Sequence, residues 1–161
     1  MSLNTNFVHL RLHSEYSIVD GAVRIDDAIS LAAKDGMGAL ALTDLGNTFG
    51  LVKFYQAARK EGVKPIVGSD VWITNHEERD KPFRLQLLVK NHQGYLNLCE
   101  LLTKASLTNQ YRGRAEIDSA WFKDYAEGLI ALSGARFGDV GVALLAGQDD
   151  EAKQKALRWK N

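Results

Sequence analysis

The sequence predicts an α/β fold with parallel strands, on three observations. Short apolar runs at Ala39–Thr43 and Pro65–Val67 alternate with amphipathic helical patterns, giving strand, helix, strand, helix, strand at the spacing of βα units. Turn chemistry separates them: Asp35-Gly36, Gly46-Asn47-Thr48 and Gly62 stand where one element must stop and the next begin. Polar residues recur at or just after strand ends, at His13, Asp44, Asp70 and Ser133, the edge where a barrel of parallel strands builds its sites.

The first element spans Phe7 to His13. Its alternation predicts a strand with His9, Arg11 and His13 on one face and Val8, Leu10 and Leu12 on the other, followed by a polar turn of Ser14, Ser17 and Asp20 closing on Gly21. This spacing suits one wall of a polar pocket, and equally an edge strand with a wet face. Ile25 to Lys34 reads as a helix, with Asp26 and Asp27 in its first turn and Ile29, Ala32 and Ala33 at helical spacing. Leu51 to Glu61 is a second helix, stopped at Gly62. Val71-Trp72-Ile73 continues the strand opened by Pro65, with Asp70 just beyond Gly68.

A charged turn, Asn75 to Lys81, leads into a fourth strand, Phe83 to Lys90, whose alternation places Arg84 and Gln86 on one face. A helix from Tyr95 to about Ser106 follows, then the loop Thr108 to Arg114, with Tyr111, Arg112 and Arg114. That loop suits contact with nucleic acid or a partner, and equally a solvated connection. Asp118 caps a short helix containing Trp121 and Phe122. Leu129 to Leu132 is a fifth strand, and helices over about Gly138–Ala146 and Asp149–Trp159 close the chain; the second carries acids first and bases last, as the helix dipole favours.

At 161 residues the chain is long enough for one domain with a real core, and its apolar share of 45% is ordinary for a globular protein. Twenty basic residues balance twenty acidic ones, which argues against a dedicated nucleic-acid-coating surface. The single cysteine, Cys99, has no internal disulfide partner and is expected as a buried small hydrophobe in a helix. No stretch is long and apolar enough to span a bilayer, and the first residues lack a secretory pattern, so a cytoplasmic protein with no membrane partner is expected.

The run His9-Leu10-Arg11-Leu12-His13-Ser14-Glu15-Tyr16-Ser17-Ile18-Val19-Asp20-Gly21 resembles the opening motif of the PHP domain, the polymerase and histidinol phosphatase superfamily. It does so in the form carried at the N-terminus of bacterial C-family replicative polymerases, the DNA polymerase III alpha subunits. Ala41-Leu42-Thr43-Asp44, Gly50 to Tyr55, Lys64-Pro65-Ile66-Val67-Gly68, Lys90-Asn91, Gly94 to Leu98 and Gly128 to Gly134 extend the likeness over almost the whole chain. The resemblance implies an incomplete distorted (β/α) barrel of the PHP type: residues 1–161 would be the N-terminal part of a longer domain, with strand edges and an apolar helix-packing face left open and the polymerase domains absent. It also implies a parent DNA-directed DNA polymerase using magnesium in another domain, partnered by DNA, a proofreading exonuclease subunit and other replicase subunits.

Metal-binding members of the superfamily build their site from a His-x-His pair, an Asp-His pair, further histidine and acidic ligands and a final Asp-x-His. Carried over residue by residue, the pattern breaks: the first histidine is Arg11, the partner of Asp44 is Leu45, a further histidine is Arg84, and Ala135 stands at another ligand position. His13, Asp20, Asp44 and Asp70 remain. A guanidinium repels a cation and stays charged at working pH. The expectation is a degenerate, metal-free pocket of Arg11, His13, Asp20, Asp44, Asp70 and Arg84, without cofactor or catalytic residues, in which the arginines pair with the carboxylates. The alternative is a metal-dependent PHP phosphoesterase or 3′–5′ exonuclease.

Overall fold

The structure, a computed structural model, describes residues 7–160. The expectation for the leading residues falls partly outside the described residues, as does Asn161.

In chain order the elements are α1 (Ile25–Lys34), β1 (Ala39–Leu42), α2 (Leu51–Lys60), β2 (Lys64–Ile73), β3 (Phe83–Val89) and α3 (His92–Thr108). There follow β4 (Gln110–Tyr111), β5 (Arg114–Ile117), α4 (Phe122–Tyr125), β6 (Leu129–Leu132), α5 (Asp139–Leu145) and α6 (Asp149–Lys160). The strand order is β4-β5-β2-β3-β6, with β1 also on β2. The Tyr111–Arg114 segment is the turn of a short β4–β5 hairpin. Asp118 caps as the sequence predicts, accepting from the Ala120 N–H at 2.9 Å.

The α/β class holds, with a partly parallel sheet. β1 and β5 run parallel to β2, whereas β3 is antiparallel to both β2 and β6. The reason lies in the β2–β3 connection: residues 74–82 contain no helix, and without a helical crossover the next strand can only fold back.

The stretch Phe7–His13 departs further from expectation, since it forms no regular strand. The N–H groups of Ala41 and Thr43 donate to His9 O and Leu12 O, each at 2.9 Å. Between these bonds Leu42 alone opposes both Leu10 and Arg11, the count of a bulge, and the Thr43 hydroxyl accepts from Leu12 N at 3.1 Å. The alternation breaks there. Leu10 turns outward, Leu12 packs on the core, and His9 leaves Arg11 and His13 to sit edge-on against the Phe7 ring.

Two apolar cores support these elements. Ile25, Ile29, Leu40, Leu42, Phe54 and Ala58 join α1 and α2 to β1. Val71, Ile73, Leu85, Leu87 and Ile117 cover one sheet face and pack on Leu98, Leu101 and Ala105 of α3. Cys99 is only half-buried, because its helical position flanks the Leu98–Leu101 stripe and does not lie in it.

The N-terminus of α3 is seated by a backbone approach. Asn91 Oδ1 accepts from Gly94 N at 3.0 Å, and a Cβ at Gly94 would stand 1.9 Å from the Gly128 carbonyl oxygen. Gly94→Ala is expected to destabilise the fold by about 1–3 kcal/mol, the range for overpacking, read as a lower urea midpoint at unchanged slope.

Candidate functional site

The β2–β3 ladder sets Asp70 opposite Gln86 and Trp72 opposite Arg84. These four side chains share the sheet face that looks away from α3, because Val71, Ile73, Leu85 and Leu87 take the other. Against this polar face lies the irregular N-terminal segment, tied down by Gln86, whose amide donates to Leu10 O.

Asp70 is the hub. It is 2% exposed, and its Oδ2 accepts from Arg11 Nε at 2.8 Å and Arg11 Nη2 at 2.5 Å while lying 2.8 Å from His13 Nε2. On the far side of the ring, His13 Nδ1 lies 2.9 Å from Asp20 Oδ1, which also accepts from Ser17 Oγ at 2.7 Å. An imidazole donates to two carboxylates at once only as the imidazolium. The hydrogen bond to Asp70, with help from Asp20, accordingly holds the His13 pKa above its ordinary value against the opposing effect of burial. Burial pushes Asp20 up, but the hydrogen bonds from Ser17 and His13 outweigh it and leave its carboxyl below the usual range.

Arg84 closes the cluster. Its Nη2 comes within 3.6 Å of Asp20 Oδ2 and its guanidinium carbon lies 3.6 Å from the Trp72 ring centroid. Burial draws its pKa down, opposed by Asp70 and Asp20. Five of the six expected pocket residues thus meet in one network.

Asp44 takes a different part. Its carboxylate accepts from Ser14 N at 2.6 Å and Ser14 Oγ at 2.9 Å, with no arginine partner among the described residues. Burial pushes its carboxyl up despite those two bonds. Ser133 lies beyond β6, outside the network. The sequence reading missed Trp72 as the platform of Arg84 and Gln86 as the clamp on Leu10. The alternation from Asp70 to Trp72 and from Arg84 to Gln86 carries that signal, once the two strands are known to be antiparallel.

The donor set does not fit the metal cluster that the resemblance associates with this fold. A ligand imidazole must offer a lone pair and a ligand carboxylate a free oxygen. Both His13 nitrogens face carboxylates, Asp70 Oδ2 and Asp20 Oδ1 are each shared between donors, and both Asp44 oxygens serve Ser14. Two guanidinium groups add positive charge where a cation would sit.

Two expectations follow. The raised His13 pKa means that its contribution to stability is complete below its ordinary value of 6.5 and is lost as pH rises through the folded-state value. Asp20 contributes in the opposite sense: its share is present above the ordinary carboxylate value and lost as pH falls through its depressed one. Urea titrations should show stability falling with rising pH above 6.5, and His13→Gln should flatten that limb and weaken the acid limb too, since Asp20 keeps only the Ser17 hydroxyl of its two donors. Among substitutions, Asp70→Asn should cost the most, about 3–5 kcal/mol, because it takes the charge from the carboxylate that the largely buried His13 cation faces. Arg11→Met should cost about 1 kcal/mol or less, because the Arg11 side chain is 53% exposed.

The chain is 45% identical over 157 residues to DNA polymerase III subunit alpha of Pseudomonas aeruginosa, covering 98% of this chain and 13% of that protein. It is 48% identical over 155 residues to that subunit of Neisseria meningitidis serogroup A, covering 95% and 14%. With that of Escherichia coli K12 the identity is 45% over 141 residues, covering 88% and 12%. The chain therefore spans only about an eighth of the length of these relatives. The PHP domain profile matches residues 9–161, from the segment carrying Arg11 and His13 to the end of the chain, and by that match the chain belongs to the PHP domain family.

Proposed function

We propose that this chain is the N-terminal part of the PHP domain of a bacterial replicative DNA polymerase of the DNA polymerase III alpha type, serving there as scaffold and subunit-docking platform and not as a hydrolytic centre. On this reading the whole protein adds deoxynucleotides to a primer on a DNA template, at magnesium held by carboxylates of a domain outside residues 1–161. Its partners are DNA, a proofreading exonuclease subunit and other replicase subunits, and its place is the cytoplasm. Among the described residues no helix is long and apolar enough to cross a membrane.

The observation that carries the scaffold reading is the charge arrangement around Asp70. Arg11 and His13 deliver N–H donors to one carboxylate oxygen, so the positive charge that a hydrolytic site borrows from metal is supplied here by side chains bonded in place. Such a cluster fixes strand ends and offers no open coordination position for an activated water.

Elemental analysis of the whole protein, after loading with zinc, manganese or iron and desalting, should find far less than one equivalent of metal. Asp70→Asn should lower the melting temperature while primer extension per folded molecule, measured below that temperature, stays unchanged. Stoichiometric metal together with chelator-sensitive phosphoester cleavage would overturn the scaffold reading in favour of a phosphoesterase or 3′–5′ exonuclease.

A further inference from the structure

Beside the Asp70 network lies a cavity of about 570 Å³, floored by Asp70, Arg84 and Gln86 and walled by Arg11 and the segment Leu132–Phe137. Its second wall is held by close backbone approach. A Cβ at Gly134 would meet the Arg84 carbonyl oxygen at 2.2 Å, and one at Gly138 would meet the Ser133 carbonyl oxygen at 1.8 Å. Ala135 sits at φ +48°, in the left-handed region that costs a non-glycine residue free energy. This strained, glycine-seated turn sets Arg136 at the cavity mouth, its guanidinium carbon 4.5 Å from the Phe137 ring centroid.

The charges in the cavity do not close. Three arginines line it; Asp70 is already taken by Arg11 and His13, and Asp20 reaches Arg84 only through Nη2, at 3.6 Å. Arg84 Nη1 is buried with no hydrogen-bond partner, and Arg136 has no ion pair among the described residues. The positive charge left over on this lining, with Arg136 exposed at its mouth, favours an incoming oxyanion. Leu132, Ala135 and Phe137 supply apolar wall beside these cations, and the volume far exceeds what a small inorganic ion fills.

We propose that this cavity is a receptor for a protein segment that places a single Asp or Glu side chain between Arg84 and Arg136 and an adjacent apolar side chain against Leu132 and Phe137. A carboxylate is planar and singly charged, so it can take a fork from each guanidinium without confronting Asp70 with the second charge of a phosphate. The inference rests on the docking reading above and names the chemistry of what docks, but its test is separate from the metal and stability measurements.

Acetylated, amidated peptides Gly-Leu-Asp-Leu-Gly and Gly-Leu-Lys-Leu-Gly serve as probes, titrated into the whole protein with inorganic phosphate as a third arm. The acidic peptide should saturate and shift the Arg84 and Arg136 Nε–H resonances, and phosphate should not. Arg136→Glu changes an exposed residue and should weaken the acidic peptide at least tenfold while admitting the lysine peptide. Four results overturn the proposal: no saturable binding by the acidic peptide, binding indifferent to Arg136→Glu, phosphate saturating the same resonances, or a second copy of the chain occupying the cavity, seen as a dimer by sedimentation.

Discussion

The site depends on a single carboxylate oxygen, Asp70 Oδ2, which draws Arg11 and His13 onto the polar face of β2. The constraint matters because the segment carrying both cations has no regular ladder of its own. Two backbone hydrogen bonds and one hydroxyl hold it to β1, with an extra residue bulged between them. Side-chain ion pairs therefore do for this segment what cross-strand hydrogen bonds do for β2 and β3. Their geometry also explains why His13 serves as a bridge: its two nitrogens reach from β2 to the Ser17–Asp20 turn, joining parts of the chain that share no backbone pairing.

The network has a gradient of burial that sets the worth of each contact. Asp70 is enclosed, Asp20 is about a third exposed and Arg11 is half in water, so the pairs grow weaker outward from the hub. Arg84 is the exception: it lies deep in the site, gives up part of its hydration, and recovers interaction from the Trp72 face and a 3.6 Å approach to Asp20. Asp44 is enclosed too, yet neutral hydrogen bonds from Ser14 are its main support. It anchors the backbone turn at Ser14 and stands apart from the arginine system, although its place just after β1 gives no hint of the difference.

Much of this was legible before any coordinates. Helices α1 and α2 announced themselves through acidic first turns, apolar periodicity or terminal glycines, and the shared face of Arg84 and Gln86 followed from alternation alone. What escaped was whatever depends on pairing partners remote in sequence. Strand direction for β3 turned on the helix-free 74–82 connection, and the Phe7–His13 alternation was overridden by the bulge opposite Leu42. Local pattern says which way a side chain points only where the backbone is regular, and the site lies where regularity fails.

Replacing an imidazole ligand by a guanidinium does more than abolish coordination. A metal site needs neutral imidazoles and mobile water, so its charge comes and goes with the ion. Arg11 and Arg84 install the positive charge covalently, and that charge in turn keeps Asp20 and Asp70 supplied with donors. His13 adds a third cation, since each of its nitrogens finds a carboxylate. The two guanidinium charges are present at any working pH, while the His13 charge is given up as pH rises. The positive charge the pocket still carries lies with Arg136, exposed beside Phe137 at the edge of the same cavity.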